Sequence, residues 1–266
     1  MTEPNSARVH VSVDDNGVAW LTLDNPSKLN AISLPMWRTL SEALARFEGD
    51  PGVRCVVLTG QGDKAFCVGA DISKFEQIRS APELSAEYDD VTRATLSQLQ
   101  TFSKPTIAMI CGFCIGGGVT LAAACDLRIA AMGTRMAIPA AKLGIGYLYS
   151  GVKRLTDLVG PAQAKRMLFT AEKFPAEEML RIGLLDELVP QSELAARVRS
   201  LTGIIAANAP LTIAAAKYAV ETACSDDPQR DIAGCVARAK ACTESEDHAE
   251  GRQAFMEKRA PVFRGR

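Results

Sequence analysis

The sequence predicts an α/β fold that ends in an all-helical part, on three observations. Short apolar runs of strand length alternate with helix-periodic segments through roughly the first 195 residues, as expected of a mainly parallel sheet with crossover helices. After about Gly160 almost every segment reads as helix. The composition is that of an ordinary soluble globular chain, with 266 residues, 47% of them hydrophobic and 23% charged, long enough for a sizeable core. These patterns divide the chain into a core over residues 1–195 and a helical unit over 196–266. Lys plus Arg number 30 and Asp plus Glu 31, a formal net charge of −1. A balance this even lacks the broad positive field of a nucleic-acid binder.

Along the core, residues 9–13 alternate, Asp15-Asn16-Gly17 is a turn, and residues 18–23 form a second strand, giving a hairpin. Ser33 is placed to cap a helix whose apolar positions Met36, Leu40, Leu44 and Phe47 follow helical spacing, and Gly49-Asp50-Pro51-Gly52 stops it. Residues 54–59 read as a buried strand, 82–101 as a polar helix, 106–110 as a strand, 118–124 as a short helix after a Gly-rich loop, and 127–131 as another strand. Helices follow over 161–170, 175–182, 191–208, 211–224, 228–241 and 246–258, with only Leu188-Val189 strand-like. The small residues of this part, such as Ala214-Ala215-Ala216, suit close helix packing within or between subunits.

Residues 105–125, between Lys104 and Asp126, are uncharged and long enough to cross a bilayer. Their glycines, Gly112 and Gly116-Gly117-Gly118, mark them instead as a buried strand–loop–helix, so no membrane span is expected. The polar start, Met1 to Ser6, has no basic and apolar signal pattern. Eight cysteines in that context read as reduced thiols of a cytoplasmic protein.

Several chemistries lack their residues. His10 and His248, the two histidines, read as structural or solvated. Neither a G-x-S-x-G elbow nor a P-loop occurs, and Gly144-Ile145-Gly146 lacks the third glycine of a dinucleotide fingerprint. Cys111 and Cys114 form a C-x-x-C with no second pair or histidine, so neither a metal site nor a redox pair is expected.

Two stretches stand out as main-chain donors. Residues 64–72 follow a strand and contain Gly69; residues 112–118 end in a glycine triplet that leads into a helix, where amides lack intrahelical acceptors. Two such amides aimed at one carbonyl oxygen form an oxyanion hole, which stabilises an enolate or a tetrahedral anion.

At these residues the sequence resembles the crotonase superfamily, the enoyl-CoA hydratase/isomerase family. Asn25 through Ala31, Phe66 through Ile72, Gly112 through Gly118 with Cys125 through Arg128, Lys142-Leu143-Gly144 and Phe255 through Arg259 fall in the family's order, over essentially the whole chain. The resemblance implies a crotonase-type ββα spiral core with a C-terminal helical domain that builds trimers, often paired into hexamers. It also implies an acyl-CoA thioester substrate, so that coenzyme A arrives as part of the substrate and neither a separate cofactor nor a metal is needed. The oxyanion amides map onto Ala70 and Gly117. Lys28, Val68, Ala70, Asp71, Ile72 and Gly116 map onto CoA-contacting positions, Phe255 and Lys258 onto tail positions that reach a neighbour's CoA, and Asp126 onto a structural turn.

This chain departs from the family's hydratases at both glutamates, where it has Thr120 and Ala140. Two-glutamate hydration is therefore not expected, since acid–base groups contribute about 10²–10⁴-fold each. A loop with Tyr147, Tyr149 and Ser150 offers substitutes. The methylmalonyl-CoA decarboxylase branch has a tyrosine aligned with Tyr147, although it has a histidine where this chain has Ala70. Decarboxylation needs an oxyanion hole and no strong base. Cys67 and Cys114 are further candidates beside a thioester, Glu83, Glu87, Asp89 and Asp90 on the 82–101 helix are candidate unorthodox bases, and a catalytically silent acyl-CoA binder is the remaining alternative.

Overall fold

The computed structural model describes residues 7–71 and 82–266, with side chains over 7–71 and 86–266. The expected hairpin forms β1 (Arg8–Val13) and β2 (Val18–Asp24), and α1 (Leu34–Gly49) follows. Met36, Leu40, Leu44 and Phe47 are all buried along one face of α1, as their spacing requires. Ser33 sits at the N-cap but its hydroxyl makes no capping bond.

The next residues wind in a repeating order. A longer strand enters one sheet, a very short strand enters a second, and a helix follows. The first turn is β3 (Cys55–Gly60), β4 (Ala65–Cys67) and α2 (Pro82–Thr101). The second is β5 (Thr106–Ile110), β6 (Phe113–Ile115) and α3 (Gly117–Ala124). The third is β7 (Leu127–Ala131), β8 (Arg135–Ala137), α4 (Ala140–Leu143) and α5 (Tyr149–Thr170). A short return, β9 (Phe174–Pro175), α6 (Ala176–Arg181) and β10 (Glu187–Val189), closes both sheets. The large sheet has the order β1-β2-β3-β5-β7-β10 and the small one β4-β6-β8-β9. Among the described residues only the β1–β2 and β8–β9 pairs are antiparallel. This is the ββα spiral that the resemblance implies.

The central strands β3 and β5 of the large sheet are nearly continuous apolar runs because both faces are covered. Val56, Leu58, Ala108 and Ile110 pack into the main core with α1 and α3. Cys55, Val57, Ile107 and Ile129 face the other way and are covered by Leu194 and Val198 of α7 (Leu194–Ala207). Asp126 ties the layers together, accepting from Thr106 N (2.7 Å) and from Lys217 Nζ (2.7 Å) on α8 (Pro210–Cys224). It holds a turn, as expected.

Helices α9 (Ile232–Thr243) and α10 (Glu246–Glu257) complete the tail. Two helix starts and a set of short strands differ most from expectation. Helix α5 starts at Tyr149 rather than 161, and its two halves meet at Gly160, whose φ of 75° lets the chain break before Pro161. Helix α9 starts at Ile232 rather than 228, where Asp231 caps it by accepting from Gly234 N. The short strands β4, β6 and β8 occupy what reads as loop. Among the described residues no single helix is long and apolar enough to cross a membrane.

Candidate active site

The two donor stretches lie side by side where the small sheet ends. Beyond β4, Ile32 bridges Ala70 in parallel fashion. Ile32 N donates to Gly69 O (2.8 Å) and Asp71 N donates to Ile32 O (3.0 Å). The Ala70 N–H lies between these bonds and takes no part in them. Beyond β6, Gly116 adopts φ 55° and ψ −117°, a conformation closed to residues with a Cβ. It turns the chain so that Gly117 opens α3 with its N–H outside the helical ladder. Gly118 seats the helix against the end of β4, where a Cβ would fall 2.2 Å from Cys67 O. A Cβ on Gly117 would lie 3.4 Å from Gly69 Cα and 3.9 Å from Ala70 N, so the two amide-bearing segments touch. Neither Ala70 N nor Gly117 N has an acceptor among the described residues.

The Gly116–Gly117 peptide is firmly held from its carbonyl side. Gly116 O accepts from Val119 N (2.9 Å), Thr120 N (3.2 Å) and the Tyr147 hydroxyl (3.1 Å). Tyr147 Oη and Thr120 Oγ1 are 2.7 Å apart. With the Tyr147 proton committed to Gly116 O, the Thr120 hydroxyl donates to Tyr147. Burial raises the Tyr147 pKa and keeps the phenol neutral; the Thr120 bond opposes that shift only in part.

A pocket of about 180 Å³ opens beside Gly117. Trp37, Leu96, Ile145 and Leu148 supply its apolar walls, and Thr92, Thr120, Tyr147 and Ser150 its hydroxyls. Trp37 and α2 are held in place by Tyr88, whose oxygen accepts from Trp37 Nε1 (3.1 Å) and whose hydroxyl faces Ile32 O (3.4 Å), the same carbonyl that fixes the Ala70 segment. Burial pushes the Tyr88 phenol up to about 12. Three larger hollows, of about 700, 600 and 370 Å³, open elsewhere, the first and third within the tail and the second between α8, α9 and the C-terminal ends of α1 and α2. They are surfaces between exposed helices, away from the amide pair.

The expected site residues separate into those this pocket gathers and those it does not. Gly117 and Tyr147 line it, and Ala70 and Gly116 adjoin it through the backbone. Val68 is half-buried just before them. Lys28 reaches the buried Asp71 with Nζ 3.0 and 2.8 Å from its two oxygens, which places the lysine beside the Ala70 segment. Ile72 lies outside the described residues, as does the side chain of Glu83. Phe255 is exposed at the end of α10 and Lys258 caps that helix, and neither lines the pocket.

Several candidates stand apart from the pocket. Tyr149 is exposed, and Ala140 packs half-buried at the start of α4. Glu87 pairs with Arg38, Asp90 with Arg93, and Asp89 is exposed; none of these carboxylates lines the pocket. Cys67 and Cys114 are fully buried, and burial pushes the Cys67 thiol up to about 12 and raises that of Cys114, the opposite of an activated nucleophile. Cys111 donates to Asp63 O (3.2 Å) and its pKa is also raised by burial, which argues against a redox pair with Cys114. Among the described residues no cluster of three His, Cys, Asp or Glu is placed to hold a metal ion. Trp37, Thr92, Arg93 and Leu96 line the pocket without having been singled out in the sequence. Thr92 and Leu96 are four residues apart on α2, but nothing local says which face of that polar helix meets the site.

A ββα spiral with two open amides against an apolar pocket defines a crotonase-superfamily protein, and comparison with known proteins agrees. The family model for enoyl-CoA hydratase/isomerase matches residues 14–266. A carnitinyl-CoA dehydratase of Salmonella typhi is 38% identical, covering 92% of this chain and 94% of its own. A short-chain-enoyl-CoA hydratase of Clostridium acetobutylicum is 34% identical, covering 91% and 92%. The crystal structure of an enoyl-CoA hydratase/carnithine racemase from Magnetospirillum magneticum superposes with a TM-score of 0.91 at 33% identity, over 97% of this chain and 96% of that one. The chain belongs to the enoyl-CoA hydratase/isomerase family and is an acyl-CoA enzyme of that family.

Proposed function

We propose that the Ala70 and Gly117 amides receive the thioester carbonyl of an acyl-CoA and stabilise the enolate formed when its α-carbon gains negative charge. The observation behind this is the juxtaposition of two unpartnered main-chain N–H groups with the pocket that Gly117 lines. Tyr147 and the α3 amides hold the Gly116 carbonyl and thereby fix the direction of the Gly117 N–H, which belongs to the same peptide unit. Such preorganised donors need no rearrangement as charge develops. The CoA part lies along Lys28, Val68, Asp71, Ile72 and Gly116. Phe255 and Lys258 act on a neighbouring subunit's CoA in a homotrimer built by the helical part, a reading supported by the uncovered apolar side chains Val236, Phe255 and Met256.

The test is Gly117→Pro. Proline suits a first helical position but has no N–H to donate. With a panel of enoyl-, malonyl-type and hydroxyacyl-CoA thioesters, the variant should lose about 2.7–4 kcal/mol of transition-state stabilisation, or on the order of 10²–10³ in kcat. An equal rate in the folded variant would reject the reading.

A second reading, decarboxylation of a malonyl-type acyl-CoA, is favoured by one observation. The described residues lining the pocket include no Asp, Glu or His. In that reaction the bond between Cα and the carboxylate breaks, its electron pair moves onto the thioester oxygen held by the two amides, CO2 leaves, and Cα takes a proton from solvent. No protein base is needed. Turnover of malonyl-type thioesters but not of enoyl-CoA in the same panel selects this reading; hydration of crotonyl-CoA at a family-like rate excludes it.

A further inference from the structure

The α2 side of the pocket is not uniformly apolar. Helix α2 presents Thr92 and Arg93 there, next to each other in sequence and both lining the cavity. Among the described lining residues Arg93 is the one ionised side chain. Thr92 Oγ1 is buried and has no hydrogen-bond partner among the described residues. That is unusual for this helix, because Thr95 donates to Val91 O (2.8 Å) and Thr101 to Ser97 O (3.0 Å), the ordinary way a helical threonine satisfies its hydroxyl. The Thr92 hydroxyl is thus a buried donor on a residue that lines the cavity. A hydrocarbon chain end would leave it unsatisfied, a state buried polar groups rarely keep.

Resting on the acyl-CoA reading above, we propose that this end of the pocket binds a carboxylate, so that the preferred substrates are short ω-carboxyacyl-CoA thioesters, with Arg93 and the Thr92 hydroxyl as the donors to the distal carboxylate. The guanidinium suits it, since its planar fork donates two parallel bonds to one carboxylate. Its present partner, Asp90, is one helical turn away, and both side chains are well exposed, at 59% and 69%. Such a solvated pair is weak and leaves the guanidinium free to turn toward a ligand. The remaining walls, Trp37, Leu96, Ile145 and Leu148, suit the methylenes between thioester and carboxylate. The volume of about 180 Å³ limits the chain to a few carbons.

The experiment is calorimetric titration of the full-length protein with glutaryl-CoA and with hexanoyl-CoA, whose chains are similar in length but differ in the terminal charge. Glutaryl-CoA should bind at least tenfold more tightly to the unaltered protein, as a charge-assisted hydrogen bond allows. In Arg93→Met that preference should disappear while hexanoyl-CoA affinity is kept. Arg93→Lys should retain part of the preference, and Thr92→Val should reduce it by a smaller factor. Arg93 is exposed enough for these variants to fold, which circular dichroism checks. Equal affinities in the unaltered protein, or an equal weakening of both ligands in Arg93→Met, would overturn the inference and leave the acyl-CoA reading standing. Failure of both ligands to bind the unaltered protein would overturn both.

Discussion

Helix α1 in the core buries six residues, from Met36 to Phe47, whereas α8 and α9 in the tail bury none. The polar groups divide in the same way. In the core, Arg128 is buried and donates to Leu184 O (2.9 Å), Cys125 O (2.7 Å) and the Asp186 carboxylate (2.7 Å). In the tail, Arg259 meets Glu250 and Glu257 in water, and Phe255 stands 85% exposed. The Ala70 and Gly117 amides sit in the region where α1 and the sheet bury most of their apolar side chains within one chain. The tail keeps an apolar face in need of cover, consistent with the assembly role proposed for it.

This contrast can be broken by experiment. Arg128→Ala should be the largest effect on stability, about 3 kcal/mol, toward the low end for a broken buried ion pair because Asp186 keeps part of its surface in water. Urea denaturation measures it; a change within a few tenths of a kcal/mol would show that the core depends less on this arginine than its bonding implies. Tyr147→Phe removes one of three donors to Gly116 O, and an effect of about 1 kcal/mol should appear, up to roughly tenfold in kcat, with KM little changed. A fall in affinity at constant kcat would instead make Tyr147 a wall of the pocket.

The smallest effect belongs to the tail. Its last residues are clasped by Asp247, which accepts from Arg264 N (2.6 Å) and Gly265 N (2.8 Å), and by Glu250, which accepts from Val262 N (2.8 Å). The Arg259 guanidinium, with that amide, holds the Glu250 carboxyl down at about 2. A depressed carboxylate contributes stability that is complete above its ordinary value near 4.5 and is lost as pH falls through about 2. Glu250→Gln should therefore flatten the dependence of the urea midpoint on pH between 5 and 2, lowering the midpoint slightly at pH 7 and leaving it nearly unchanged at pH 2. An unaltered slope would mean that the clasp does not persist in solution.

The same contrast explains what was legible in the sequence. Strands β5 and β7 and helix α2 fall where their patterns put them because each is long enough to show a period and is bounded by turns. The donor loops were legible because glycines mark places where the backbone must come close or turn sharply. Strands β4, β6 and β8 were not, because three residues cannot display an alternation. The first half of α5 was hidden because Gly160-Pro161 reads as a helix boundary, whereas the structure stacks a second helical segment across it. Of the pocket, Gly117 and Tyr147 came from motif order. Trp37, Thr92 and Arg93 are brought to it only by the packing of α1 against α2, which no local pattern encodes.

The most direct measurement is the crystal structure of the protein with butyryl-CoA bound. The account predicts the thioester oxygen within about 2.7–3.1 Å of both Ala70 N and Gly117 N, with the acyl chain entering the cavity between Trp37 and Tyr147. A thioester oxygen turned to solvent or bound to a side chain, with those two amides engaged elsewhere, would contradict it.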